Sequence, residues 1–275
     1  MVIKKLIREF ANELNENSNF EARELFMYAS GMSLTDVIIK GDEEADKETE
    51  KKAREYVKRR ACGEPLQYIT GFAEFMGMNF NVNKYTLIPR QDTEVLVEKI
   101  IETASSGARI LDIGTGSGCI GISLGKYIKN SSVVLADISE GALKTALKNA
   151  ELNNVKADGI LIDILNDIPD GKFDIVVSNP PYIETDVIET LDDGVRLYEP
   201  HNALDGGKDG LIFYKRITDI APQILTDNGI LAYEIGYNQG EAVRKIVEEK
   251  LGNAEVIKDL CGNDRVVISK RGKNV

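Results

Sequence analysis

Val2, Ile3, Leu6, Ile7, Phe10 and Leu14 recur at three- and four-residue intervals and mark the apolar stripe of an amphipathic helix. Glu21 to Ala29 continues in the same manner, and Ser33-Leu34-Thr35-Asp36 supplies the capping residues of a further short helix. Asp42 to Ala61 is highly charged, with Ala45, Ala53, Tyr56 and Val57 at its inward positions. Its basic residues Lys51, Lys52, Arg54, Lys58, Arg59 and Arg60 read more readily as a solvated helix face than as a site for an acidic partner. Residues 1–62 are therefore expected to form a small helical domain.

The pattern changes over residues 63–90. Gly63, Pro65, Gly71, Gly77 and Pro89 punctuate the aromatic stretches Phe72-Ala-Glu-Phe75 and Asn79-Phe-Asn-Val82, which predicts a β-hairpin linker. From residue 92 strands and helices alternate. Helix 92–104, strand 108–113, helix 117–129, strand 132–137 and helix 139–152 lead to a short strand near 160–162 and a strand at 173–178. A long loop, 179–208, precedes helix 209–226, strand 229–235, helix 239–251 and strands near 254–258 and 265–269. Such alternation predicts an α/β domain over 91–275, a doubly wound and mostly parallel sheet covered on both faces.

Composition narrows the chemistry. The 275 residues are 43% hydrophobic and 29% charged, as in an ordinary globular chain. No apolar run approaches a membrane span, and MVIKKLIREFANEL lacks a signal peptide's apolar stretch and cleavage site, so a cytoplasmic protein with no membrane partner is expected. Cys62, Cys119 and Cys261 are odd in number and lack metal-ligand spacing. With His201 as the single histidine, a His-based metal site or Ser-His-Asp triad is almost excluded. A carboxylate-only metal site has no motif behind it, and no metal is expected. The net charge of -11 argues against stable nucleic-acid binding, which rests on phosphate neutralisation.

Two segments carry chemistry. Strand Arg109-Ile-Leu-Asp-Ile113 runs into Gly114-Thr115-Gly116-Ser117-Gly118 and then an apolar helix, while Asp137 ends the next strand, 19 residues after Gly118. Glycines let the backbone turn sharply beside a ligand, and a strand-end carboxylate can accept both hydroxyls of an adenosine ribose. Gly116-Ser-Gly118-Cys-Ile-Gly121 also spells a dinucleotide fingerprint, so a nicotinamide dehydrogenase competes at this point. Asp163, after the third strand, is placed to accept from an adenine amino group or to cap a turn.

The second segment is Asn179-Pro180-Pro181-Tyr182, delivered by the buried strand Phe173–Ser178. The prolines end the ladder, stiffen the backbone and offer only carbonyl acceptors. The Asn179 side-chain oxygen and the Pro180 carbonyl can hold the two N–H groups of a planar nitrogen and aim its lone pair at a sulfonium methyl. These bonds strengthen as positive charge develops. Tyr182 can stack on the planar group.

With these residues in place, the chain resembles class I S-adenosylmethionine-dependent methyltransferases that modify planar nitrogens. More closely, it resembles the HemK-type protein-(glutamine N5) methyltransferases of peptide chain release factors. Glu64-Pro65-Leu-Gln-Tyr-Ile-Thr-Gly71, Leu87-Ile-Pro-Arg-Gln-Asp-Thr-Glu94, Val177–Ile183, Tyr198-Glu-Pro200 with Ala203–Gly207, and Asn263-Asp-Arg265 carry the likeness along nearly the whole chain. Gln91 stands where the family has proline. The resemblance implies a helical N-terminal recognition domain, a hairpin linker and a seven-stranded catalytic domain. It implies methylation of the glutamine of the Gly-Gly-Gln loop, which leaves S-adenosylhomocysteine; a monomer is expected. Gly114 to Gly118, Asp137, Asp163, Ile164 and Asn179 are then expected to bind the cofactor. Asn179, Pro180, Pro181 and Tyr182 are expected to bind the glutamine, with Asn179, Pro180 and Tyr182 catalytic. Arg90 and Thr93 border the cleft in this reading. The alternatives are a ribosomal-protein glutamine, or adenine N6 in nucleic acid, which would need base flipping and a basic surface.

Overall fold

The N-terminal apolar stripe becomes α1 (Ile3–Glu13), whose Ile3, Leu6 and Phe10 are buried. It is followed by α2 (Ser18–Ser30), α3 (Leu34–Ile39), α4 (Lys47–Ala61) and α5 (Leu66–Thr70). In this computed structural model residues 1–14 and 18–272 are described. Ser33 and Asp36 form a reciprocal capping box at α3, and Asp46 caps α4 by accepting from the Glu48 and Thr49 amides. Phe10, Leu25, Phe26, Ala53, Val57 and Ile69 share one core, whereas Ala45 and Tyr56 are only partly buried against it. The three arginines of the α4 basic cluster are paired within the unit: Arg54 with Glu9 and Glu50, Arg59 with Glu64, Arg60 with Glu21.

The helical unit takes in Met1–Gly71 together with Asp193–Tyr198. Its end falls later than the composition change at Gly63. Pro65 starts α5, Ile69 turns into the helical core, and Gly71 closes the helix at φ +81°. The expected hairpin is shorter than the 63–90 segment. It pairs β1 (Phe72–Phe75) with β2 (Met78–Asn81), antiparallel, and Phe75 and Phe80 meet edge-to-face at 6.2 Å.

The second unit comprises Phe72–Asp192 and Glu199–Val275. Its elements after the hairpin are α6 (Glu94–Thr103), β3 (Arg109–Ile113), α7 (Cys119–Tyr127), β4 (Ser132–Asp137), α8 (Glu140–Leu152), β5 (Ala157–Leu161) and β6 (Phe173–Ser178). After the short α9 (Asp193–Arg196) of the helical unit come α10 (Ile212–Ile224), β7 (Leu225–Glu234), α11 (Gly240–Leu251), β8 (Glu255–Lys258) and β9 (Asp264–Lys270). The seven strands lie in the order β5-β4-β3-β6-β7-β9-β8, all parallel except β9, which runs antiparallel to both neighbours. This is the doubly wound α/β sheet that the alternation predicts. Leu111, Val176 and Leu231 face one apolar layer, and Ile110, Val177 and Ala232 the other.

Two elements differ from expectation. β7 begins at Leu225 rather than 229, and its pairing with β6 slips between Phe173 and Ile175. The 179–208 loop is not structureless, holding short 3-10 turns at Thr185–Thr190 and His201–Ala203 besides α9. The strand order reverses between β3 and β6, where the carboxyl ends of an open α/β sheet leave a crevice. Among the described residues no helix is long and apolar enough to cross a membrane.

Candidate active site

Gly114–Gly118 leaves the carboxyl end of β3 and opens α7. It is held from beneath by Asp112, whose Oδ2 accepts from Thr115 Oγ1 at 2.6 Å and from the Gly121 amide at 2.9 Å. Burial pushes this carboxyl up to about 6, against the pull of those two bonds, and its Oδ1 has no partner. From the side the loop is held by the fully buried Asn149. Its Nδ2 donates to the carbonyls of Ser117 and Asn81, both at 2.9 Å, and its Oδ1 accepts from the Asn81 amide at 2.7 Å. Asp137 closes the front. Its two carboxylate oxygens accept from the Gly116 amide at 2.9 Å and the Ser139 amide at 2.8 Å. Burial raises the Asp137 pKa, and the amide bonds oppose the rise.

A cleft of ≈ 250 Å³ opens above this loop. Gly114, Thr115, Gly116, Ser117, Asp137, Asp163, Ile164, Asn179, Pro180 and Pro181 line it, so most of the residues singled out in the sequence converge. Gly118 is set back from the lining, capping α7 against Ala146. Asp163 also takes up its turn-capping role, accepting from the Leu165 amide at 3.0 Å and Asn166 Nδ2 at 2.7 Å.

Gly114 and Gly116 have no atom nearer than 4.0 Å where a Cβ would stand, so a ligand can lie directly on their backbone. A pyrophosphate would need free amides at the start of α7. Here the Gly116 amide is taken by Asp137 and the Gly121 amide by Asp112, and both acceptors are carboxyl groups. A nucleoside whose ribose hydroxyls donate to Asp137 fits this loop.

β6 delivers the reactive loop beside β3. Ser178, fully buried, donates to the Ile113 carbonyl at 2.7 Å and locks the two strand ends together. Asn179 is half-buried and, with Pro180 and Pro181, faces the cleft. Tyr182 is not among the lining residues. Its ring packs with the apolar layer that includes Tyr214 and Ile217, and burial pushes its phenol up to about 12. The Tyr182 carbonyl accepts from Gln239 Nε2 at 3.0 Å, and a side chain at Gly210 would collide with that same carbonyl.

Sequence reasoning did not single out several residues now seen at the site. Tyr85, Leu87, Ile88 and Ile138 line the cleft beside Arg90 and Thr93. Arg90 donates to Glu199, a carboxyl 1% exposed in its side chain whose pKa burial raises and Arg90 pulls back. Gln239 braces the reactive loop, and Glu234, at the end of β7, lies behind it. Glu199 fell within a quoted motif, but Glu234 and Gln239 had no local signal. Among the described residues no group of three or more His, Cys, Asp or Glu is placed to hold a metal.

Two families match the chain: the methyltransferase small domain over residues 90–192 and the PrmC N-terminal domain over residues 2–71. The release factor glutamine methyltransferase of Geobacter sulfurreducens is 40% identical over 258 residues, covering 94% of this chain and 91% of that protein. The protein of the same name from Thermodesulfovibrio yellowstonii is 37% identical over 275 residues, covering 98% of each. A methyltransferase structure from Pyrococcus furiosus aligns with a TM-score of 0.55 at 20% identity, over 72% of this chain and 91% of that one, a likeness of fold.

Proposed function

The chain belongs to the release factor glutamine methyltransferases, and we propose that its cleft takes S-adenosylmethionine while Asn179–Tyr182 presents a release-factor glutamine to it. The observation that carries this assignment is the convergence of Asn179, Pro180 and Pro181 with the glycine loop and Asp137 around one cleft.

The bound cofactor supplies an activated methyl on a sulfonium. The residues do the rest. Asp137 holds the ribose hydroxyls, and Gly114 and Gly116 admit the methionine part against the backbone. A side-chain amide nitrogen is a poor nucleophile because its lone pair is delocalised into the carbonyl. Asn179 Oδ1 and the Pro180 carbonyl each accept one of its N–H bonds, which favours pyramidal nitrogen and gains strength as charge builds there. Ser178, Gln239 and the two prolines fix the main chain that carries these acceptors before substrate arrives, so little backbone reorganisation is needed. The glutamine is the one in the Gly-Gly-Gln loop of peptide chain release factors, and the product cofactor is S-adenosylhomocysteine.

The test is methyl transfer from labelled S-adenosylmethionine to purified release factor, beside a factor whose loop glutamine is replaced. Label on the first and not the second is the expected result. Label on neither, with cofactor binding intact, redirects the search to ribosomal proteins and then nucleic acid.

The helical unit serves in this reading to recognise the release factor. Its α3 exposes Leu34, Ile38 and Ile39, the last two 72% and 73% exposed. Ile38→Glu with Ile39→Glu is expected to raise KM for release factor several-fold with S-adenosylhomocysteine affinity unchanged. An unchanged KM would remove these residues from recognition.

A further inference from the structure

Glu234 is a buried carboxyl with no role in the chemistry above. It ends β7, its residue is 2% exposed, and its Oε2 is fully enclosed without a hydrogen-bond partner. An unsatisfied buried carboxylate oxygen is costly, so its position calls for an explanation. The sheet register supplies one. β6 and β7 run parallel, and their last paired residues are Ser178 and Tyr233. The residue that follows each is Asn179, just beyond β6, and Glu234, the last of β7. The main chain of Glu234 is fixed as well, its carbonyl accepting from the buried Tyr214 hydroxyl at 2.9 Å.

Asn179 has a problem that this neighbour solves. A side-chain amide is nearly symmetric in shape, and a half-turn about its last bond exchanges an acceptor for two donors. Only the orientation with Oδ1 toward the substrate can receive an amide N–H; the other sets donor against donor.

We propose that Glu234 is a positioning residue: its carboxylate takes an N–H of the Asn179 side chain, so that Asn179 Oδ1 is the edge turned to the substrate nitrogen. The proposal rests on the assignment of Asn179 as the glutamine acceptor. An ionised carboxylate only accepts, so it enforces one orientation, whereas a carboxylic acid or an amide at position 234 can also donate and leaves the choice open. The groups facing Glu234 are consistent with a carboxyl poised between its two states. Burial pushes it up to about 7, while the Thr93 and Asn179 side chains and Arg265 of β9 pull it down and Asp92 pushes it further up. Tyr182 from the reactive loop, Cys119 from α7 and Tyr214 from α10 complete the surroundings, each with its own pKa raised.

The test reads Asn179 directly and needs no substrate. In the wild-type protein the side-chain amide resonance of Asn179 is expected to move with pH through the neutral range, following Glu234, and in Glu234→Gln it is expected to stay fixed. Should the variant fail to fold, the wild-type titration alone decides, and an Asn179 signal that stays flat while the Glu234 carboxyl carbon itself titrates overturns the proposal. In turnover, Glu234→Gln is expected to lower kcat on release factor on the order of 10²-fold, as for loss of one oriented transition-state contact, and to leave S-adenosylhomocysteine affinity within twofold. Wild-type kcat in the variant overturns the proposal. So does a parallel fall of kcat, cofactor affinity and thermal midpoint, the mark of a merely structural role. Absence of methyl transfer by the wild type would instead count against the substrate assignment, and the Asn179 titration would still report on Glu234.

Discussion

Glu234→Gln also makes a prediction about stability, with a sign opposite to its effect on turnover. The wild-type carboxyl has a pKa of about 7 in the fold against 4.5 for the free group, mainly because burial disfavours the charge. Between those values the folded chain holds a proton that the unfolded chain has released. Stability contributed by this group is therefore greatest below pH 4.5, falls as pH rises toward 7, and is level above. A glutamine at this position does not titrate. It keeps its own fixed penalty for an amide with incomplete partners, roughly 1–3 kcal/mol, at every pH. The informative quantity is thus how the stability difference between variant and wild type changes with pH, because Asp112, Asp137 and every other titrating group largely cancel from it. From pH 5.5, above the isoelectric point near 4.8, to pH 8, the linkage amounts to about 2 kcal/mol in favour of the variant. Urea unfolding of both proteins at four pH values across this range measures it. A difference that is constant with pH, or that moves toward the wild type, refutes the assignment of a raised pKa to Glu234. The outcome expected is a variant that gains stability relative to the wild type as pH rises while turning over poorly, as befits a charge kept buried for function.

Three further substitutions probe the rest of the site. Asp137→Ala removes the acceptor for the Gly116 and Ser139 amides and the proposed ribose partner, and should weaken S-adenosylhomocysteine binding by calorimetry on the order of 100-fold; affinity within threefold of wild type would remove Asp137 from the cofactor site. Asn179→Ala should bind S-adenosylhomocysteine nearly as well as wild type yet lose most turnover, and full turnover would end the acceptor role. Asn149→Ala orphans the Ser117 carbonyl and both main-chain groups of Asn81, and should cost about 3 kcal/mol in urea unfolding; a loss under 1 kcal/mol would show that water replaces the lost bonds.

What was legible in the sequence follows a physical division. Glycine and proline act on the backbone where they stand, so Gly114–Gly118 and Asn179–Pro181 announced a tight ligand-facing turn and a stiff strand exit without any knowledge of partners. Alternating period likewise gave the wound sheet, since a strand buried on both faces must be apolar along its length wherever its neighbours come from. Tyr182 shows where this stops. Nothing local shows that its half-buried ring also packs with the layer of Tyr214 and Ile217, which lie more than thirty residues further on and approach through the crossover after β6. The limit of the helical unit was hidden in the same way. Leu66 and Ile69 are as apolar as the hairpin beside them, and only packing assigns them to α1–α4. Glu234, Gln239 and Glu199 are ordinary polar letters in the chain; what distinguishes them is burial beside a residue brought in by sheet register or loop return. Motifs reveal groups that touch ligand through backbone geometry, whereas groups that aim another side chain depend on long-range contacts. In this fold the positioning residues should accordingly be sought where β6 and β7 end and β9 begins, with Ser178, Tyr233 and Val267 side by side in register next to the reactive loop.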